Sequence, residues 1–391
     1  MKILWVSEVD PDPNSGAGGT ELLMVRQLRN LGHEVQTIWA DELPRRIAHG
    51  NLHYALELPG TYAKAILAAS RRTSFDIVTV NLGQSFLAGR KLRSRGFEGA
   101  FIVRSHGLDD HLEEVLSKWS RILGLAAHSS IKSKLSKCLV SVTGQHIHKA
   151  SKVCDGYVVS NSLDAQFLHQ RHRLAWEQIA TIPQAPAAVF RANHVPQMTP
   201  RRLRKMLYVA GYHFAKGPHA VATAAKQLLS ADENLSLTWI CHPGDHAKVK
   251  NLLGPVAPRV RLLGWMTQEE LVKEFDGHGV FLYPSLFDGF GKIFLEAMSR
   301  GLCVIGTTAG GMVDIIQHGL NGFLCDFNAP QQIVDRVVEI QRDLQAAGKM
   351  SSAAVKTADQ HTWERVGREL EQFFAERLKS VSNDKRATRA R

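Results

Sequence analysis

Apolar runs of strand length alternate with amphipathic, helix-length segments along most of this chain, and that alternation constrains the fold more than any other feature. Buried strands are expected at residues 3–7, 34–39, 76–80, 100–104 and 156–160, with helices such as 20–31, 62–72 and 163–171 between or after them. Strands that follow helices and are apolar throughout belong in parallel sheets covered on both faces. The pattern breaks at 183–204, where Pro183, Pro186, Pro196 and Pro200 accompany Arg191, Arg201, Arg202, Arg204 and Lys205 nearby. It then restarts, with strands expected at 206–210, 235–241, 260–263, 280–283 and 303–306 and helices such as 218–230 and 290–300. The expectation is an α/β protein of two doubly wound Rossmann-like domains facing across a cleft. The first domain covers 1–183, a linker 184–204 and the second domain 205–362. A helix at 363–380 carries Trp363, Val366, Leu370, Phe373, Phe374 and Leu378 at helical spacing, which suits packing back across the domains. Residues 381–391 read as a basic, disordered tail.

Composition narrows the class. The chain has 391 residues, 44% of them hydrophobic and 22% charged, which excludes collagen-like, low-complexity and wholly disordered readings. That length suits two cores, since single ones rarely grow past about 250–300 residues. No run approaches the ~20 apolar residues of a membrane span, and the first residues read as a buried strand rather than a signal peptide. Five scattered cysteines form no Cys-x-x-Cys pair, so a reducing, cytoplasmic setting is expected, without disulfides or zinc. The net charge of +11 is uneven: residues 115–154 contain no acid, and Lys118, Arg121, Lys132, Lys134, Lys137, Lys149 and Lys152 lie there. Ile131, Leu135, Leu139 and Val142 give part of this stretch an apolar side. It reads as a core-facing helix with solvated lysines or as a peripheral contact with anionic lipid at the inner face of the membrane. Net charge alone supports no nucleic-acid role, because no recognition module accompanies it.

Ligands of such sheets bind beyond the carboxyl ends of the strands. The first of these loops runs from Asp10 through Gly16, Gly18, Gly19 and Thr20 to Glu21 and opens a helix, whose N-terminus suits phosphate. Asp10 and Asp12, each followed by proline, read as a rigid turn rather than metal ligands. His106 and Gly107 follow the strand at 100–104, and Asp109 and Asp110 read as a solvated helix start. The strongest signal is the stretch 284–301, in which Asp288, Gly289, Phe290 and Gly291 lead from a strand end into a helix bearing Lys292 and Glu296. Amides at 290–292 can face an anion, and Glu296, about two turns further on, can reach vicinal hydroxyls. Two carboxylates flanking an amide nest suit a sugar nucleotide, whose hydroxyls need acceptors and whose phosphates need donors.

Residues 284–301 resemble the E-x7-E region of family-4 retaining glycosyltransferases of the GT-B fold. Gly18-Gly19-Thr20-Glu21, His106-Gly107, Asp155–Ser160, Lys216-Gly217, Gly310-Gly311 with Asp314, and Asn321-Gly322 are similar to further motifs of that family, in the same order. The resemblance implies a metal-independent, retaining transfer of a hexose-type sugar from a nucleotide-diphosphate sugar to a saccharide, lipid-linked or small-molecule acceptor, with no cofactor. It implies that His106, Lys216 and Asp288 are catalytic. Glu296 would hold the ribose, Asp288 and the amides of Gly289, Phe290 and Gly291 the sugar and distal phosphate, and Lys216 the leaving diphosphate. Gly18 and Gly19 would close on phosphate or acceptor. Three departures stand out. Asp288 replaces the first glutamate of the pair, Gly211 stands where a diphosphate-binding arginine is usual, and Ile182-Pro183 is followed by Gln184 and Ala185 rather than Asn-Gly. Lys292, or a protonated His213, is expected to replace part of the missing charge. The alternatives are a non-catalytic nucleotide-sugar-binding partner, a sugar-nucleotide epimerase, or a phosphorylase, which would need greater length and a pyridoxal lysine. Nucleobase, sugar, acceptor and oligomeric state are not legible in the sequence.

Overall fold

A computed structural model describes residues 1–122, 131–191 and 194–389, with 131–138, 140 and 384–389 described by backbone alone. The chain forms two units, Met1–Pro183 with Trp363–Arg391, and Gln184–Thr362. Each is built on a six-stranded sheet whose strand pairs are all parallel.

The first sheet contains β1 (Lys2–Val6), β2 (Glu34–Ile38), β3 (Ile77–Asn81), β4 (Ala100–Arg104), β5 (Gly156–Val159) and β6 (Ile179–Thr181). Their spatial order is β2-β1-β3-β4-β5-β6, so the carboxyl ends of β1, β3 and β4 lie side by side. The second contains β7 (Lys205–Val209), β8 (Ser236–Ile240), β9 (Val260–Leu263), β10 (Val280–Tyr283), β11 (Cys303–Thr307) and β12 (Phe323–Cys325), ordered β12-β11-β10-β7-β8-β9. Here β7, β10 and β11 bring their ends together. Central strands such as β3, β4 and β11 are buried along their whole length, as sheets covered on both faces require.

The sequence pattern misses two strands. Both β6 and β12 are edge strands of three residues, too short to stand out as apolar runs. Residues 184–204, expected as a linker, are instead part of the second unit. Ala187 and Phe190 join its core, and Leu203 is also buried. Arg202, 7% exposed, donates to the carbonyls of Pro196, Gln197, His278 and Arg300. Two of those acceptors, His278 and Arg300, lie outside the segment, so the guanidinium ties it to the rest of the second unit.

The last helix runs from Trp363 to Arg389, well past residue 380 and through most of the stretch expected to be disordered. No glycine or proline interrupts Val381–Arg389 to break it. This helix packs within the first unit, against the helix Gly16–Asn30 and β4. Cys154, Cys241, Cys303 and Cys325 are buried free thiols. Among the described residues no helix is long and apolar enough to cross a membrane. The lipid-contact reading of 131–142 rests largely on Ile131, Lys132, Lys134, Leu135 and Lys137, whose side chains lie outside the described residues. Leu139 is buried.

Candidate functional site

In the second unit, β7 ends at Val209 and the chain turns through a short helix, Phe214–Lys216, into Gly217. Gly217 has φ +70, and a Cβ there would lie 2.0 Å from the carbonyl oxygen of Pro284. Only glycine allows this close approach, which presses the Lys216 turn against the loop after β10. The hydroxyl of Tyr208 donates to the Lys216 carbonyl at 2.8 Å, and the amide of Leu286 donates to Ala215 at 2.7 Å.

These contacts place the Lys216 ammonium 2.6 Å from Asp288 Oδ2. Tyr283, the last residue of β10, donates its hydroxyl to the same oxygen at 2.5 Å and accepts from Lys216 Nζ at 3.3 Å. Burial pulls the lysine pKa down, but the charge of Asp288 and the Tyr283 hydroxyl outweigh it, so Lys216 stays charged well above its ordinary range. Burial and the Asp288 carboxylate push the Tyr283 hydroxyl up, so it remains a donor.

The loop then reaches Gly291, whose φ of +84 caps the helix Lys292–Ser299. Gly310 and Gly311 seat this loop from the end of β11. A Cβ on Gly310 would lie 2.8 Å from the Asp288 carbonyl oxygen, and Gly311 donates its amide to the Phe290 carbonyl at 2.9 Å. Glu296 is 5% exposed, 3.7 Å from Lys292 Nζ, and accepts from the Ala187 amide. Burial raises its pKa, partly offset by Lys292. Thus Asp288, Lys292 and Glu296 lie on the loop and helix expected, with Lys216 on the turn after β7, but the two cations are each matched with a carboxylate. Lys292, expected to supply spare charge to a diphosphate, faces Glu296 instead. His213 supplies none: burial and then Lys216 lower its pKa, and its Nδ1 accepts from the Ala215 amide at 3.2 Å.

In the first unit, His106 Nε2 lies 2.7 Å from Glu21 Oε1. Glu21 is fully buried, and its other oxygen accepts from Trp5 Nε1 at 2.5 Å and Arg104 Nη2 at 2.8 Å. The Arg104 guanidinium also lies over the Trp5 ring, 3.4 Å from its centroid. Burial raises the Glu21 pKa, but Arg104 and His106 more than compensate and hold the carboxyl below its usual range. An ionised Glu21 accepts the proton of His106 Nε2, which fixes the ring's orientation.

Gly18 and Gly19 serve the loop that precedes them. Cβ atoms there would lie 2.2 Å from the Asp10 carbonyl oxygen and 2.7 Å from that of Pro13. Their amides already donate to Ser15, Gly18 to the hydroxyl at 2.8 Å and Gly19 to the carbonyl at 3.1 Å. Asp12 accepts from the Asn14 amide at 2.9 Å within the expected turn. Asp109 and Asp110 are not a solvated pair: Asp110 lies 2.7 Å from His172 Nε2, and burial pushes Asp109 up to about 6.

Sequence reasoning missed Glu21, Arg104 and Tyr283 as partners of the site residues. Glu21 had a usable signal, since it shares a helical face with Met24, Val25 and Leu28, and a carboxylate on a core face needs a buried partner.

Two parallel Rossmann-like units define the architecture called GT-B. Two solved structures share the fold across nearly all of this chain. Sucrose-phosphate synthase from Thermosynechococcus elongatus superposes with a TM-score of 0.73 at 17% identity, covering 97% of this chain and 100% of that one. HepE of Anabaena, in complex with UDP, superposes with 0.66 at 15% identity, covering 96% and 100%. Residues 204–343 match the family described as Glycosyl transferases group 1, so the second unit carries a group 1 glycosyltransferase domain. A sucrose synthase from Acidithiobacillus caldus is 37% identical over 112 residues, 27% of this chain but only 13% of that relative's length. A D-inositol 3-phosphate glycosyltransferase from Thermobispora bispora is 25% identical over 414 aligned positions, covering 96% of this chain and 94% of that one.

Proposed function

We propose that this chain is a retaining glycosyltransferase that moves a hexose-type sugar from a nucleotide-diphosphate sugar to a saccharide, lipid-linked or small-molecule acceptor without a resident metal. The observation that carries the proposal is the Lys216–Asp288 pair, set between the ends of β7 and β10 beside the N-terminus of the Glu296 helix. A diphosphate needs a cation and backbone amides, and a sugar needs carboxylate acceptors; the turn after β7 supplies the cation, and the loop after β10 supplies the amides and the carboxylate. HepE, of like fold, binds UDP.

On donor binding the diphosphate takes the Lys216 ammonium from Asp288, with the amides at 290–292 supplying further donors. Asp288, released, accepts hydroxyls of the transferred sugar, while Glu296 accepts those of the ribose. Lys216 and the helix N-terminus then stabilise the charge that builds on the leaving phosphate. The acceptor hydroxyl attacks from the face the diphosphate leaves, and its proton passes to that departing oxygen, which gives retention. His106, whose ring Glu21 orients, is the catalytic candidate that the first unit contributes.

A thermal-shift screen with UDP, GDP, ADP and dTDP, each with excess chelator, tests the donor site. A nucleotide at about 100 times its Kd stabilises by about 2.7 kcal/mol. NMR of the product's anomeric proton then tests retention. A second reading, a nucleotide-sugar-binding partner without turnover, is favoured by Gly211 in place of a cation and by the occupied Lys216. Binding without transfer across a broad acceptor panel would establish it.

A further inference from the structure

A second polar cluster lies at the carboxyl edge of the first sheet, where neither the Glu21 network nor the donor loop uses it. Glu8 follows β1 by two residues, Asn81 ends β3, and Asp109 opens the helix after β4. These three strands are neighbours in the sheet. Tyr62 donates its hydroxyl to Glu8 Oε2 at 2.7 Å, and Asn81 donates its side-chain amide to Glu8 Oε1 at 3.1 Å. Asn81 is 1% exposed, yet its side-chain oxygen has no hydrogen-bond partner. An unpartnered buried acceptor costs about 1–3 kcal/mol, so a fold that retains one beside a half-buried carboxylate is arranged for a donor from outside.

The charges around the cluster limit what that donor can be. Burial raises both Glu8 and Asp109, and the charges of Asp110 and then Glu8 add to the shift at Asp109. Arg104, the guanidinium whose field reaches Glu8, is engaged by Glu21. Among the described residues, an oxyanion would therefore meet two carboxyls and an amide oxygen, while His106, the other basic group whose field reaches Glu8, is likewise held by Glu21. Hydroxyls fit, because they donate to carboxylates and amide oxygens and also accept from a carboxyl that keeps its proton. Tyr54, whose hydroxyl is raised by burial and then by both carboxylates, adds an aromatic ring of the kind that covers the C–H face of a sugar.

We infer that Glu8, Asn81 and Asp109 form a subsite for the vicinal hydroxyls of an uncharged sugar or cyclic polyol. Calling that molecule the acceptor rests on the glycosyltransferase reading above; the subsite itself does not. The terminal unit it takes carries hydroxyls, rather than a phosphate or an ammonium group, at the end that enters.

The test is saturation-transfer NMR on the full chain with methyl glucoside and myo-inositol at about 10 mM, enough to load a millimolar site. Glucose 6-phosphate and glucosamine serve as the anionic and cationic counterparts, and a UDP thermal shift is read in parallel. The neutral ligands are expected to bind. Glu8→Gln and Asp109→Asn should each weaken them by about tenfold, the loss of one charge-assisted hydrogen bond, with the UDP shift unchanged. Asp109→Asn, on a half-buried helix end, keeps the test valid if the Glu8 variant does not fold. No binding of either neutral ligand, binding indifferent to both substitutions, or preference for the phosphate or the amine overturns the subsite. Neutral-sugar binding without any nucleotide shift would sink the donor reading and leave the subsite standing.

Discussion

An ammonium and a carboxylate 2.6 Å apart cancel most of each other's field, so Lys216 meets a donor only after it parts from Asp288. The two residues should therefore fail in different ways. Lys216→Ala removes the cation that receives the leaving diphosphate, and kcat should fall by about 10²–10³, as on removal of one preorganised donor. Asp288→Asn releases Lys216, so UDP or its counterpart should bind as well or better by calorimetry while transfer drops. A parallel loss of nucleotide affinity in both variants would contradict this exchange of partners. Asp109 makes a prediction of the opposite sign for stability. The folded state keeps its proton up to about pH 6, whereas the ordinary value is 3.8, so folding takes up a proton between those values. Stability must then fall as pH rises through that window and stay lower above it. Asp109→Asn should gain about 2–3 kcal/mol near pH 7.5 and nothing near pH 3.5, measured by urea denaturation. A residue that costs the fold this much while weakening sugar binding when replaced is what a binding subsite predicts.

At the scale of elements, the loops after β7, β10 and β11 are fixed by glycines that admit no side chain. Gly217→Ala adds a left-handed strain of about 1–2 kcal/mol and an overpacking cost of about 1–3 kcal/mol against Pro284. The variant should lose at least ~2 kcal/mol in chemical denaturation and should weaken nucleotide binding with it, because the Lys216 turn must shift. Thr267→Ala, which breaks a capping box on the helix Gln268–Gly277, should cost about 1 kcal/mol and leave nucleotide binding alone. The same elements show why much of the fold was readable. Buried parallel strands such as β4 and β11 are unbroken apolar runs, and a Gly-rich loop between strand and helix marks an anion-facing turn. Edge strands β6 and β12 carry no such run. The 184–204 stretch looked like a linker because proline and arginine dominate it, yet Phe190 and Arg202 anchor it through contacts distant in sequence. The pairing of Lys216 with Asp288, and of Glu21 with His106, spans 72 and 85 residues and has no local signature.

For the molecule as a whole, two cores must be stabilised by one chain, and the C-terminal helix belongs to the first of them. Trp363, Val366, Leu370, Phe373 and Phe374 are buried on the helix that lies along Gly16–Asn30 and β4. The fit is close: a Cβ on Gly156 would lie 2.7 Å from the Phe373 ring, and one on Gly367 would lie 2.6 Å from Gln27 Cβ. His33 Nε2 adds a polar contact with Glu371 at 2.9 Å. The apolar cluster of the first sheet shares no residue with the two clusters of the second unit. A cavity at Phe374, which is fully buried, should therefore destabilise the first unit by about 3–5 kcal/mol. Hydrogen exchange on the full chain reads this region by region. In Phe374→Ala, amides of β1, β3, β4 and β5 should exchange faster, while those of β7, β8 and β10 keep their protection. The thermal shift produced by a bound nucleotide should also survive, since Lys216, Asp288 and Glu296 lie in the second unit. Faster exchange in both sheets together would mean that the helix supports a single cooperative core, and the division at Thr362 would then be geometric rather than energetic.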